Sequence, residues 1–233
     1  MPVIAPLIRL APPADPAPLA RAAANAERYD WLVFTSANAV RVLLAAAAAE
    51  GVSARDLAGA RIAAVGPSTA AALEAVGLSV LAVPAIHAGA AVAGAMIEAG
   101  LVPRQRVLWA RAAGASDVLL ERLAGAGARV DAVDAYRTIE DTRTGAELAE
   151  AVRSGRIDAL TFTSPSAVRA YAEGSAEADA PVGPGPVVVA VIGRVTAAAA
   201  RRAGLEVDVE PAEHSLEAMV AALARVRRGE SSA

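Results

Sequence analysis

The sequence predicts an α/β protein built from two similar parallel-sheet domains, and two observations support this prediction. Short apolar segments alternate with Ala-rich segments whose apolar residues recur at helical spacing, a pattern typical of parallel strands joined by helices. The same phrase also occurs twice, as DWLVFTSANAVRVL at 30–43 and as DALTFTSPSAVRAY at 158–171. Internal similarity of this kind indicates a repeated structural unit.

The similarity extends well beyond this phrase. Downstream, AAVGPSTAAALEAVGLSVLAVPAIH matches VAVIGRVTAAAARRAGLEVDVEPAEH. Three pairs of residues then correspond: Thr69 with Thr196, Gly77 with Gly204, and His87 with His214. Matched placement of the two histidines indicates a structural position near a helix start, because neither has a serine or carboxylate partner at a recognisable spacing.

The first copy is predicted to alternate strands with helices. Glycines at 51, 77, 100 and 127 stand where helices should end, since glycine is favoured just after a helix. The strands are expected at Trp31–Phe34, Arg61–Val65, Val80–Val83, Val107–Ala110 and Val130–Ala135, and the helices near residues 37–49, 68–76, 88–99 and 116–126.

The second copy contains fewer elements. Strands are expected at Ala159–Phe162, Val187–Ile192 and Val207–Glu210, helices near 166–173, 195–203 and 215–228, and a flexible loop rich in Gly and Pro at 174–186. No counterpart of RVLWARAAGASDVLLERLAGAGARVDAVDAYRT follows, but the N-terminal VIAPLIRL resembles VDAVDAYRTI. We therefore expect the start of the chain to complete this domain, and one strand and one helix of it to be missing from the sequence.

These comparisons predict two domains and the segments that join them. One domain is discontinuous, formed by residues 1–10 and 151–228, and the other spans residues 30–135. Residues 11–29 and 136–150 are expected to form a two-stranded connector. Two crossing segments of this kind suit a cleft that opens and closes.

Composition excludes several classes of function. The formal net charge is −3, so a nucleic-acid-binding face is not expected. Neither cysteine nor lysine occurs, which excludes disulfides, thiolate catalysis, Schiff bases and the P-loop. Two histidines are too few for a typical zinc site, and the glycine-containing turns lack a dinucleotide-binding fingerprint. With no secretion signal or membrane span recognised, we expect a cytoplasmic protein without metal or cofactor.

Hydroxyl-bearing residues and glycines cluster at the predicted strand-to-helix turns FTSANA, VGPSTA, FTSPSA and IGRVTA. In open α/β sheets ligands bind at this edge, where free backbone N–H groups and the helix dipole favour anions. The alternative is that Ser and Thr at these positions only cap helices. The candidate binding residues are Thr35, Ser36, Gly66, Thr69, Ser164, Ser166, Gly193 and Thr196.

Two further residues are candidates for chemistry. Arg111, in WARAAG, lies at a predicted strand end, where it either pairs with a carboxylate of the ligand or is a solvated surface charge. Tyr136 is one of three tyrosines and follows the last strand of the first copy. Its phenol either donates a proton to a leaving group or is a ring packed in the connector.

The motifs FTSANAV, VGPSTAAAL, AYRT, DALTFTSPSAV, AVIGRVTAAAARRAGL and VEPAEHSLEAMVAAL together resemble the uroporphyrinogen-III synthase family. The resemblance covers Val3 to about Leu223. It implies two α/β domains joined by a two-stranded connector, a monomer, and no cofactor. The chain departs from the family at its start, where the family's first strand and its Thr-Arg-Pro-like turn have no counterpart.

The resemblance implies a cyclising lyase that converts hydroxymethylbilane into uroporphyrinogen III in tetrapyrrole biosynthesis. The substrate loses its terminal hydroxyl as water, and its last ring is inverted through a spiro intermediate. Tyr136 matches the family's connector tyrosine and would assist the departing hydroxide, while the turn residues would hold substrate carboxylates. A transient contact with hydroxymethylbilane synthase is the protein partnership it suggests. The alternative is a non-catalytic two-lobed regulator that binds an anion or a tetrapyrrole.

Overall fold

The computed structural model of the protein describes residues 1–86, 88–178, 187–213 and 215–227. The chain divides into two compact units, which we call the N-proximal unit, Leu10–Arg137, and the C-proximal unit, Met1–Arg9 with Thr138–Ala233. The α/β fold class predicted from the sequence is confirmed, because both units contain parallel strands flanked by helices. No helix in the described ranges is long and apolar enough to cross a membrane.

The strands are short, as expected for segments covered by helices. Numbered along the chain, they are β1 (Ile8–Ala11), β2 (Trp31–Phe34), β3 (Arg61–Ala64), β4 (Arg106–Ala112), β5 (Arg129–Glu140), β6 (Ala159–Phe162) and β7 (Val188–Val191).

The helices are mostly Ala-rich, and alanine has the highest helix propensity. They are α1 (Ala17–Ala24), α2 (Ala37–Ala49), α3 (Ala54–Leu57), α4 (Pro67–Glu74), α5 (Gly89–Glu98), α6 (Val118–Gly125), α7 (Thr142–Arg153), α8 (Pro165–Glu177), α9 (Arg194–Arg202) and α10 (Leu216–Arg227), with a 3₁₀ helix at Ala26–Arg28.

The larger sheet has the strand order β1-β5-β4-β2-β3. Its pairs β2–β3, β2–β4 and β4–β5 are parallel. Strand β2, which lies between β4 and β3, is buried on both faces. Leu32 and Phe34 pack into one apolar cluster, whereas Trp31 and Val33 pack into a second cluster with Trp109. Burying a large apolar side chain stabilises a fold by about 1.5–3 kcal/mol, so these two clusters fix the sheet between its helical layers.

The C-proximal unit contains the smaller sheet, in which β6 and β7 are parallel. A single bridge joins Ala190 of β7 to Val209. Beside this sheet, α7 and α8 cross at very short range. A Cβ added to Gly145 would overlap the carbonyl oxygen of Ala170, and one added to Gly174 would overlap that of Thr142. The two helices can pack this closely only because both positions are glycine.

The two copies recognised in the sequence have the same local structure. Ser36 and Ser164 are the N-caps of α2 and α8, and each accepts a hydrogen bond from the N–H three residues later. Gly77 and Gly204, just after α4 and α9, have φ values of 80° and 83°. This left-handed conformation is the reason why glycine ends both helices.

Several elements differ from the sequence-based expectation. The predicted strands at 80–83 and 207–210 are reduced to isolated bridges at Ala82 and Val209. Each is followed by a proline, Pro84 or Pro211, which has no N–H to extend the pairing. The loop expected at 174–186 begins later, because α8 continues to Glu177, and positions 179–186 lie outside the described residues, as do both histidines.

The segments expected to form the connector contain regular structure. The segment 11–29 contains α1, whose N-cap is Pro16 and whose first turn contains Pro18, and proline is well suited to the first turn of a helix. The segment 136–150 contains the end of β5 and most of α7. Asp141 caps α7 by accepting a hydrogen bond from the N–H of Thr144 at 3.0 Å. Aspartate is a favoured N-cap residue, but this one was not recognised in the sequence because other charged residues surround it.

Candidate active site

Parallel pairing brings the candidate residues of the N-proximal unit to one edge of the larger sheet. Phe34, the last residue of β2, lies opposite Ala64 of β3 and Ala110 of β4. The turns that follow β2 and β3 therefore start at the same level. The β4–β5 register shifts between Arg111 and Ala112, so that Ala112 lies opposite Tyr136. This is the carboxyl edge, where ligands bind in open α/β sheets.

Ser36 and Tyr136 are hydrogen bonded at this edge. The oxygen of the Ser36 hydroxyl lies 3.0 Å from that of the Tyr136 phenol, and either can be the donor. Ser36 Oγ also accepts a hydrogen bond of 3.1 Å from the N–H of Ala39. The Tyr136 ring is buried in the same apolar cluster as Phe34. Two residues 100 positions apart thus form one polar contact at the rim of an apolar core.

Thr35 points away from this pair, towards the other face of the sheet. Its hydroxyl accepts a hydrogen bond of 3.3 Å from the indole N–H of Trp109. The methyl group of Thr35 lies against Gly89, at the start of α5. The structure therefore separates the adjacent candidates Thr35 and Ser36 onto opposite faces.

Arg111 is held by two carboxylates of the protein itself. Its Nε donates to Asp134 at 3.1 Å and its Nη1 donates to Asp117 at 2.6 Å. The guanidinium also lies over the ring of Trp109, 5.1 Å from the centroid. Partial burial alone would lower the pKa of Arg111, but the hydrogen bonds to both carboxylates outweigh burial and raise the pKa. The guanidinium of Arg111 is therefore paired within the protein.

Gly66 and Thr69 belong to the first turn of α4, with Gly66 as the N-cap. Thr69 is only 2% exposed. Its hydroxyl has no hydrogen-bond partner among the described residues, where every fully buried side-chain oxygen or nitrogen is paired. The hydroxyl of Thr69 therefore keeps an opening to solvent. The N–H of Ser68 likewise has no acceptor within the helix, so this turn offers a hydroxyl and an amide to a ligand.

The C-proximal unit repeats this turn at the start of α9. Gly193 is the N-cap, and Thr196 is 3% exposed, with no partner for its hydroxyl in the described part of the chain. Unlike α4, this helix has no proline in its first turn, so three N–H groups, from Arg194 to Thr196, lack an acceptor within the helix. The positive end of the helix dipole adds to the attraction for an anion.

Ser164 and Ser166 lie in the first turn of α8. Ser164 Oγ accepts a hydrogen bond of 3.2 Å from the N–H of Ala167, and Ser166 Oγ accepts one of 3.0 Å from Arg169. Arg169 also donates to Glu140 at 2.8 Å. This arginine therefore links the first turn of α8 to the end of β5.

The two units thus each present a set of turns that can bind carboxylates through hydroxyls and backbone N–H groups. In the described ranges no group of three or more His, Asp or Glu side chains is placed to hold a metal ion. The phenol of Tyr136 is the one candidate proton donor that we selected from the sequence. The chemistry that this geometry supports is anion binding together with proton transfer to or from a phenol.

The partners of these candidates are not evident from the sequence. Asp117 and Asp134 hold Arg111, and Glu140 and Arg169 hold the first turn of α8. Asp134 stands two residues before Tyr136 on β5, but the register shift beside Arg111 interrupts the alternation of side chains. Asp134 therefore pairs with Arg111 on the Trp109 face, whereas Tyr136 packs with Phe34 on the other face. Spacing alone gave no signal of this arrangement, which depends on β4 and β5 being neighbours.

Comparison with known proteins gives a consistent result. The family model described as uroporphyrinogen-III synthase HemD matches residues 1–221. A uroporphyrinogen-III synthase from Synechococcus elongatus is 29% identical over 224 residues, which cover 94% of this chain and 83% of that protein. The porphyrin biosynthesis protein HemD of Ruminiclostridium josui is 31% identical over 170 residues. That match covers 73% of this chain. Because the relative is much longer, this chain spans only about a third of its length, 34%.

The fold agrees with a solved structure. A mutant uroporphyrinogen III synthase from the extremely thermophilic bacterium Thermus thermophilus superposes with a TM-score of 0.68 at 28% sequence identity. The alignment covers 98% of this chain and 90% of the Thermus chain. The resemblance seen in the sequence motifs is therefore confirmed by the family model and the solved structure, and the chain belongs to the uroporphyrinogen-III synthase family.

Proposed function

We propose that this protein is a uroporphyrinogen-III synthase, a lyase that cyclises hydroxymethylbilane to uroporphyrinogen III and releases water. The family match over residues 1–221 carries the proposal. The paired Ser36 and Tyr136, together with the amide-rich turns, supply groups suited to the reaction. The difficulty of this reaction is to hold a flexible polycarboxylate in one reactive geometry, which positioning and anion-binding amides can achieve.

The substrate carries carboxylates on all its rings, so several separate anion sites are needed. We assign the carboxylates to the turns of both units, because these turns combine hydroxyls with unpaired N–H groups. In this scheme Arg111 fixes the conformation of the turn that follows β4, while Asp117 and Asp134 neutralise its charge. The residues proposed to bind the carboxylates directly are Thr35, Gly66, Thr69, Ser164, Ser166, Gly193 and Thr196, whereas Ser36 and Arg111 support the binding site through their partners within the protein.

Tyr136 is the proposed proton donor. Its phenol gives a proton to the terminal hydroxyl of the substrate as the carbon–oxygen bond breaks, so water leaves and a cationic azafulvene forms. The substituted carbon of ring D attacks that centre, and the spiro intermediate fragments and recloses. Ring closure releases one proton, which returns to the phenolate. The protein therefore ends the cycle unchanged, and the one molecule lost is water.

The finer organisation is also a proposal. We propose a discontinuous domain of residues 1–10 and 151–228, a second domain of residues 30–135, and connecting segments 11–29 and 136–150. The division of the chain into two compact units supports this arrangement. We further propose that the protein works as a monomer in the cytoplasm and that transient contact with hydroxymethylbilane synthase shortens the path of the unstable substrate.

A product assay tests the function. Purified protein is incubated with hydroxymethylbilane made enzymatically in the same tube, and the oxidised products are separated by chromatography. Type III product above the protein-free control is the expected result. Type I product alone, at the rate of the spontaneous reaction, would refute the synthase activity. Tight binding of the tetrapyrrole without type III product would instead identify a regulator.

A further inference from the structure

The two copies differ at one polar contact. Ser36 and Ser164 occupy equivalent positions, and both cap a helix through an N–H three residues later, at 3.1 and 3.2 Å. Ser36 Oγ is also hydrogen bonded to the phenol of Tyr136. Ser164 has no such side-chain partner in the part of the chain that the structure describes. Capping therefore does not require the second contact, since Ser164 caps α8 without it.

The sequence match explains the difference. Arg137 in VDAVDAYRTI corresponds to Arg9 in VIAPLIRL, so Ile8 stands where Tyr136 does in the other copy. An isoleucine cannot donate or accept a hydrogen bond. The contact between the serine and the phenol is thus a feature of one copy and not of the repeated architecture.

We propose that Ser36 is a positioning residue for Tyr136, and this inference rests on the proposed synthase function. Ser36 Oγ already accepts from the N–H of Ala39, so its own proton is free to be donated to the phenol oxygen of Tyr136. The phenol proton then stays available for the leaving hydroxyl of the substrate. A serine donor also stabilises the phenolate that remains after proton transfer.

The surroundings of the ring fit this role. Tyr136 packs in the apolar cluster that contains Leu19 and Phe34, with Val42 at its margin. Apolar packing fixes the plane of the ring but does not fix the direction of the O–H group, which rotates about the C–O bond. A hydrogen bond from Ser36 selects that direction. Ring packing and the serine together define where the proton points.

The first experiment measures the contact without any activity. Protein labelled with ¹³C at the tyrosine Cζ gives signals from three tyrosines, and Tyr136→Phe identifies the signal that belongs to residue 136. We expect Ser36→Ala and Ser36→Gly to shift this signal, and Ser36→Thr and Ser164→Ala to leave it in place. Glycine is well tolerated at a helix N-cap, so Ser36→Gly removes the hydroxyl with little loss of folding. An unshifted Tyr136 signal in folded Ser36→Gly protein would overturn the proposal.

The second experiment is a double-mutant cycle on type III product formation. We expect Ser36→Gly to lower kcat about 10-fold, less than the roughly 100-fold or more that a general acid itself contributes, because the phenol remains, and to change KM little. In the Tyr136→Phe background the same substitution should have no further effect on kcat. Ser53→Ala, which removes the N-cap of α3 in the same unit, is the control expected to leave kcat unchanged.

The possible results of these experiments distinguish the positioning role of Ser36 from the synthase function. An equal loss of kcat from Ser36→Gly with and without the Tyr136 phenol would show that Ser36 acts independently, and a rise in KM alone would make it a substrate ligand. Either result overturns the positioning role while the synthase function stands. Wild-type protein that makes no type III product would remove the proposed function, and the positioning role with it, even if the NMR signals behave as expected.

Discussion

The hydroxyls of Thr69 and Thr196 are candidates for ligand binding because neither stabilises the described structure through a hydrogen bond. Both are buried in a first helical turn, and neither hydroxyl has a partner among the described residues. We expect Thr69→Val and Thr196→Val to raise the KM for hydroxymethylbilane about 10-fold each, as one hydrogen bond to a charged group is worth about 1.5 kcal/mol or more. Stability in urea should change by less than about 1 kcal/mol, because no protein hydrogen bond is lost.

Thr161→Val is the matched control for this pair. Thr161 is exposed on β6 and is not among the proposed binding residues. Its substitution should change neither KM nor the urea midpoint. If Thr69→Val lost stability but kept its KM, the hydroxyl would be structural and the carboxylate assignment wrong.

The sequence was sufficient to predict which residues are candidates for the site, but not which of them contact one another. The turn motifs were enough to select Ser36 and Tyr136 as candidates, because their position at strand ends follows from the parallel pattern alone. Their hydrogen bond could not be predicted, since β5 and β2 are separated by β4 and its register shift at Arg111. The ion pairs of Arg111 depend on the same pairing of strands that are distant in sequence.

At the scale of elements, the crossing of α7 and α8 gives a sharp prediction. A methyl group at Gly145 would meet the carbonyl oxygen of Ala170, which is backbone and cannot move aside. We expect Gly145→Ala to lower the free energy of unfolding of the C-proximal unit by about 3 kcal/mol, the upper end of the typical cost of overpacking. Urea denaturation followed by circular dichroism measures this loss.

Gly94→Ala provides the opposite case. Gly94 lies within α5, and a Cβ there has nothing within 4 Å. Alanine should therefore stabilise the protein by about 0.5–1 kcal/mol, the difference in helix propensity between the two residues. Equal effects of the two glycine substitutions would show that backbone entropy, not close packing, governs Gly145.

The opposite edge of the larger sheet contains a pH-sensitive contact between elements. The phenol of Tyr29 donates to Asp131 of β5 at 2.7 Å, and Arg106 of β4 lies over its ring. Burial, followed by the hydrogen bond to Asp131, raises the pKa of Tyr29 from 10.0 to about 12. Between these values the unfolded chain ionises while the folded protein keeps its proton, so alkali favours unfolding.

We therefore expect stability to fall as the pH rises from about 10 to about 12, and to fall less steeply in Tyr29→Phe. At pH 7 the phenol is neutral in both states, and Asp131 keeps its ion pair with Arg106, so the contact is fully present. Urea midpoints for both proteins at several alkaline pH values measure the slope. Identical slopes would mean that another group governs alkaline unfolding.

Helices and strands that are determined by the local sequence were predicted correctly, whereas a helix that depends on tertiary packing was not. Strands β2, β3 and β6 and helices α2 and α9 follow from short apolar runs, caps and terminal glycines, and they lie close to their predicted positions. The helix within the segment 136–150 was not predicted, because the 12-residue helix α7 is polar and owes its position to packing on α8. Such packing is a tertiary effect that sequence periodicity does not reveal.

At the scale of the whole molecule, both tryptophans, Trp31 and Trp109, lie in the N-proximal unit. Each unit also has its own apolar clusters. Tryptophan fluorescence therefore reports one unit, whereas circular dichroism reports the helices of both. We expect Gly145→Ala to move part of the circular dichroism transition in urea to lower concentration and to leave the fluorescence transition in place.

Gly94→Ala, a substitution in the N-proximal unit, should have the reverse effect and shift the fluorescence transition upward. Coincident transitions by both probes in every variant would show that the molecule unfolds as a single cooperative block. That result would contradict the independent folding expected from separate cores.

Among the described residues, the phenol beside Ser36 has no counterpart beside Ser164. Two identical copies of the unit would carry this tyrosine twice or not at all. The chain instead has Tyr136 where the other copy has Ile8, so the copies share a scaffold but differ in chemistry at this position. The proton donor that we propose therefore belongs to one half of an internally repeated molecule.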